Sequence, residues 1–139
     1  MPGVETSIFS ALGDRLQQLV LSPAVPISWP NLSFTPRGAY LRPYPLPART
    51  ESMGVSYQSP NDYRGIYQVD VFWPVNQNPI SAYECASAII AHFKKGTKMV
   101  RDGISVWVEG PPWQSPPLEE PSWFHVPVNV PYRAFVPAT

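Results

Sequence analysis

Between residues 64 and 103 the apolar positions change period twice, and each change marks an element. The run RGIYQVDVFWP alternates with period two, which predicts a strand over 64–73. Tyr67, Val69, Val71 and Trp73 form an apolar face. Ile66, Gln68, Asp70 and Phe72 form a mixed face, expected to stay partly open to solvent or to a neighbour. After Pro79 the period lengthens, and Ala82, Cys85, Ala86, Ile89, Ile90 and Phe93 mark one helical stripe. Ser81 and Glu84 have the spacing of a capping box, Lys94 and Lys95 suit the final turn, and Gly96 suits a left-handed C-cap. Asp102-Gly103 then predicts a type I′ hairpin between 97–101 and 104–109.

The flanking segments read less evenly. Ile8, Leu12, Leu16 and Leu19 predict a first helix over 5–21, with Phe9 and Val20 beside the stripe and Glu5 near the positive end of its dipole. Pro23 and Pro26 are expected to end it. Val25, Ile27 and Trp29 predict a short strand, and 40–46 an extended segment. Pro43, Pro45 and Pro47 share a parity, so one edge of that segment loses its N–H donors and cannot pair continuously inside a sheet. Residues 48–62 are polar and aperiodic and are expected to form a long mobile loop. Residues 110–121 are a proline-rich excursion without a packing pattern. In the last strand, 122–135, Phe124, Val126, Val128, Val130 and Tyr132 face one way, and Pro127 and Pro131 again strip donors from one edge. The order α-β-β-β-α-β-β-β predicts an α+β fold, a mainly antiparallel sheet with two helices packed on it, in one domain over 1–139.

Composition narrows the function classes. The 139 residues carry 19 prolines, which favours loops, edge strands and extended chain over long helices. Charge is sparse at 14% and balanced, ten basic against ten acidic residues, which gives no support to sequence-specific nucleic-acid binding. Cys85 is the single cysteine and cannot form an internal disulfide. The opening MPGVETSIF lacks the basic and apolar regions of a signal peptide, and no apolar run approaches the ~18 residues of a membrane span. A soluble protein made inside the cell, without a membrane partner, is the expectation.

Candidate chemistry is thin. His92 and His125 are the two histidines. A metal site, and with it a small metal-dependent enzyme, would need them to converge with Asp70 or Glu84, and no paired Cys/His spacing is present. Cys85 on the apolar stripe reads as an inert core thiol. Asp70 and Glu84 could form an acid/base pair only if Glu84 were released from capping. No phosphate-binding or nucleophile motif occurs, so no enzyme and no cofactor are expected. The run PPWQSPP lacks a well-placed basic partner for polyproline recognition. Trp113 at its centre either folds back on the domain or anchors a partner.

Taken as ordered segments, ETSIFSALGDRLQQL, ISWPNLSFTP, YLRPYPLPA, GIYQVDVFWPVNQNP, AIIAHFKKGT and WFHVPVNVPYRAF resemble the tail terminator-like proteins of long-tailed phages and prophages, related in fold to the tail terminator of phage lambda. The resemblance covers nearly the whole chain. Residues 48–62 and 110–121 are its least similar parts. It implies an α+β fold and a hexameric ring. Such a ring caps the head-proximal end of the tail tube, stops tube polymerisation and offers a joining surface to head-completion proteins. It implies a virion protein with itself, the tube protein and a neck protein as partners. It supplies no catalytic residues.

The expected function is therefore tail termination. The alternative in the same setting is a neck or head-closure protein on the portal side. The exposed-face aromatics and charges Arg64, Asp70, Phe72, Trp107, Trp113, Trp123 and Arg133 are the expected subunit or partner interface.

Overall fold

A computed structural model describes residues 3–21 and 24–137. The chain runs α1 (Val4–Gln17), β1 (Tyr40–Pro47), β2 (Glu51–Ser52), β3 (Asn61–Pro74), α2 (Pro79–His92), β4 (Lys98–Arg101), β5 (Ile104–Val108), β6 (Trp113–Gln114), β7 (Leu118–Glu119) and β8 (Trp123–Val136). The fold is the α+β arrangement expected: one sheet, its named strands all antiparallel, and two helices.

Two long strands form the spine. β3 and β8 pair along their whole length, from Asn61 opposite Val136 to Pro74 opposite Trp123. β1 flanks β3, and β5 then β4 continue beyond β8. One face of the spine is apolar because its alternation is apolar. Tyr67, Val69, Val71, Val126, Val128, Val130 and Tyr132 are buried there with Val106 and Val108. Ile8, Leu12 and Leu16 of α1 and Ala82, Cys85, Ala86 and Ile89 of α2 join the same core, with Phe93 just beyond the helix. Each fully buried Leu, Ile or Val contributes roughly 1.5–3 kcal/mol of transfer energy before chain entropy is subtracted.

The proline parities find their physical meaning in the pairing. Leu41 donates its N–H outward to Pro26 O (2.9 Å), away from β3, so Pro43, Pro45 and Pro47 share that outward parity. The stripped edge of β1 is therefore the open edge of the sheet, where missing donors block strand addition. On β8 the carbonyls of Pro127 and Pro131 accept from Ser115 and Glu109. That donor-poor side is met only by the short pieces β7, β6 and β5 in succession.

Several expectations are corrected. α1 ends at Gln17, not near residue 21, and Val20 is exposed. Pro23 lies outside the described residues. The expected strand at 25–29 is a single parallel bridge, Ile27 to Leu41. The N-cap of α2 is Asn78, whose side chain accepts from Ile80 N–H at 3.0 Å; with Pro79 at the first turn this displaces the Ser81/Glu84 box. Lys94, Lys95 and Gly96 lie past the helix end, though Gly96 does adopt a left-handed φ of 88°. Residues 48–62 are no unstructured loop: β2 pairs with the start of β3, and a hairpin arm projects from the sheet. The proline-rich excursion supplies β6 and β7, both paired to β8. The hairpin at Asp102-Gly103 has positive φ at both positions, 53° and 77°, as a type I′ turn requires.

Candidate assembly face

Residues opposite one another in an antiparallel pair put their side chains on the same face. That rule gathers the seven candidates. Asp70 and Phe72 point away from the core on β3, with Arg64 three repeats of the pleat before Asp70. Arg133 lies opposite Arg64 and also opposite Trp107. Trp113 lies opposite Asn129, and Trp123 shares the parity of His125. All seven therefore stand on the helix-free face of the sheet, although they come from four strands.

The upper part of this face is closed by the chain itself. Phe72 stacks on Tyr40 at 4.7 Å and on His125 at 4.3 Å, while Trp123 meets Tyr40 edge-on at 5.1 Å. Phe72 is 6% exposed and Asp70 3%, so the expectation of an open mixed face is corrected at both residues. Sequence reasoning missed this because the covering rings arrive from β1 and β8, remote in the chain. Gln68 Nε2 lies 2.6 Å from Tyr44 Oη and donates to Asp70 Oδ1 at 2.8 Å. Burial, reinforced by the charge of Asp70, pushes the Tyr44 hydroxyl above its ordinary value. His125 Nε2 lies 3.1 Å from Asp70 Oδ2, but Nε2 makes no directed hydrogen bond.

The lower part is ionic and more open. Asp62 accepts from Arg64 Nη2 at 2.7 Å and from Arg133 Nε and Nη2 at 3.0 Å each. Burial pushes the Asp62 carboxyl up, but the bonds to Arg133 and Arg64 outweigh it and hold the group below its ordinary value. Glu109 lies 3.8 Å from Arg133, whose guanidinium also covers the Phe135 ring at 4.6 Å. Lys98 sits over Trp107. Asp62 was hidden from sequence reasoning because it stands in the stretch taken for a loop. Extending the β3 alternation by two residues would have put it on the face of Arg64.

Trp113 resolves into both of its readings. Its backbone pairs with β8, and Asn129 Nδ2 ties down its carbonyl (3.4 Å) and Ser115 Oγ (2.8 Å). Its side chain stays 45% exposed. Leu46 and Phe135 add further exposed apolar surface to this face.

The metal alternative finds no geometry. His92 bonds the Arg15 carbonyl on the helix side, whereas Asp70 and His125 occupy the opposite face. Glu84 is exposed on α2 and also far from Asp70's face. Among the described residues, no three His, Cys, Asp or Glu side chains converge as metal ligands. Among them, too, no helix is long and apolar enough to cross a membrane.

Comparisons with known proteins follow the same lines. A family profile described as phage tail terminator protein matches residues 7–132. A solved structure is similar over 95% of this chain and 96% of its own, at 31% identity and a TM-score of 0.78. No curated protein matches.

Proposed function

The chain belongs to the phage tail terminator family, and on that premise we propose that it closes into a ring, six subunits in number, on the head-proximal end of the tail tube. The ring stops addition of tube protein and offers its other side to the neck. The observation that carries this reading is the two-sided character of the sheet. One face is consumed by α1 and α2, while the other gathers Arg64, Trp107, Trp113 and Arg133 beside exposed Leu46 and Phe135. A ring subunit needs such surface left over after folding, distributed so that contacts close head to tail. Aromatic and Arg side chains are also the types that anchor interfaces. Asp70 and Phe72 serve that surface indirectly, by fixing the shape of its upper half. No enzymatic role is assigned.

The test is tube growth in the presence of the purified chain. Tubes arrested at reduced length, with a cap at one end in electron micrographs, are expected. Light scattering of the chain should give a multiple of the 15.5 kDa subunit mass. Tubes that grow to full length with bare ends would sink the reading. In particles lacking the protein, over-long or unjoined tails are expected. Leaking, DNA-filled heads would instead indicate a head-closure role.

A further inference from the structure

We infer that the hairpin arm of residues 51–62 seats its apolar tip in the groove between α1 and β1 of a second copy of this chain. The inference rests on the ring reading and names the contact that would close it. At the tip, Val55 and Tyr57 are wholly exposed, at 107% and 102%, and Met53 is 48% exposed. The tip is nevertheless a formed structure. Met53 N–H donates to Pro60 O at 2.9 Å, Ser59 N–H to Ser56 O at 3.1 Å, and Ser52 Oγ to Gly54 O at 2.8 Å. A side chain at Gly54 would come within 2.6 Å of Ser59 Oγ, so the turn is closely packed around that glycine. At its base the arm is clamped by Asp62 between Arg64 and Arg133. The arm thus holds an aromatic ring out in water, with an area of roughly 150–250 Å² at stake on burial.

The same chain carries a matching groove. A groove of about 570 Å³ is lined by Phe9, Trp29, Pro30, Pro43, Pro45 and Tyr67. That volume falls in the roughly 300–1,000 Å³ range of sites that enclose a bound group. Gly13 also lines it, and the Trp29 ring lies at ordinary contact distance, 3.5 Å, from where a Cβ would stand. Pro43 and Pro45 have no N–H to offer, so a partner cannot add here as a strand and must bind through side chains. Aromatic and aliphatic groups suit the proline rings. Asp14 and Arg101, about half exposed, pair with each other at the groove, and exposed Glu51 stands on the arm's stem with exposed Arg49 just before it, so neither end carries net charge and the contact is left to the apolar groups. Tip and groove are different patches of one chain, as a head-to-tail ring requires and a two-fold dimer does not.

Substituting Val55→Ser together with Tyr57→Ser tests the contact without disturbing the fold. Because both side chains are exposed in the single chain, the melting temperature of the dissociated subunit at low concentration should be unchanged. Self-association, followed by light scattering, should weaken at least tenfold. Mixing differently tagged Tyr57→Cys and Ser10→Cys chains under mild oxidation should give a cross-link joining the two tags. An oligomer that survives the double substitution with unaltered dissociation, and no mixed cross-link, would overturn the arm contact while leaving the ring intact. A wild-type chain that stays monomeric even with tube protein would overturn the ring reading and this contact together.

Discussion

Arg15 and His92 each hold the other's backbone carbonyl. Arg15 donates to His92 O from Nε (3.2 Å) and Nη2 (2.7 Å), and His92 Nε2 lies 2.5 Å from Arg15 O. A carbonyl only accepts, so Nε2 carries a proton here. Both carbonyls belong to final helical turns, which carry the negative end of the dipole, and Arg15 O also accepts from the Gln18 N–H at 3.1 Å. The two helices therefore cap one another on the sheet. Arg15→Ala should cost about 1.5–3 kcal/mol in urea denaturation, as expected for hydrogen bonds from a charged donor. His92→Ala should cost less, and the double variant less than the sum of the two. Strict additivity would show that the two residues do not act as a pair.

The Asp62 cluster makes stability depend on pH with a definite sign. The folded carboxyl lies below its ordinary value, so the unfolded chain binds the proton more readily. The stabilisation is present above the ordinary carboxylate range and fades as pH falls through the folded value. Asp62→Asn should lose about 1 kcal/mol at neutral pH, the upper end for pairs that solvent screens. Wild type and variant should converge below the carboxylate range in denaturation curves. A difference that persists there would assign the loss to packing rather than charge.

Gly65 is required by a close approach between strands. A Cβ there would meet Leu46 O at 2.6 Å, Tyr132 Oη at 2.7 Å and Pro47 Cα at 2.8 Å. Two of these are backbone atoms and cannot swing aside. Gly65→Ala should cost about 1–3 kcal/mol, the usual range for overpacking. A melting temperature within a degree of wild type would show that β1 yields at no cost.

Cys85 is a core thiol. Burial pushes its pKa up to about 11, so almost none is thiolate at pH 8. Thiol reagents should label it slowly in the native protein and fully in denaturant. Rapid native labelling, read by mass spectrometry, would mean that α2 opens locally.

The outer aromatic stack is structural. Phe72→Ala should cost about 3–5 kcal/mol, as for other large-to-small substitutions of buried aromatics. It should also loosen Tyr40 and Trp123, visible as a change in near-ultraviolet circular dichroism. A stable variant with an unchanged spectrum would return Phe72 to the pool of partner-facing residues.

The elements read well wherever a segment carried its own periodicity. β3, β8 and the stripe of α2 each turn one apolar face to the core under the helices, so the alternation in the sequence is the alternation of core-facing side chains. The Asp102-Gly103 turn was legible because its positive φ angles select those two residue types. β2, β6 and β7 were not legible. Each pairs only two residues, too few to show a pattern, and each exists because β3 or β8 offers an edge beside it. The α2 cap was misread for a similar reason: Ser81 and Glu84 had the right spacing, but Asn78 beside Pro79 sits where the chain actually enters the helix.

By itself the sequence determined the α+β class, the apolar face of the spine and the loss of donors at same-parity prolines. Those properties follow from local alternation and from the chemistry of one residue type. Tertiary structure decided which proline edge faces out, that Asp70 and Phe72 are covered by Tyr40, His125 and Trp123, and that Asp62 joins Arg64 to Arg133. It also gathered seven residues from four strands onto the helix-free face. The register of strands distant in sequence sets all of these, and pairing between remote segments leaves no local signature in either one.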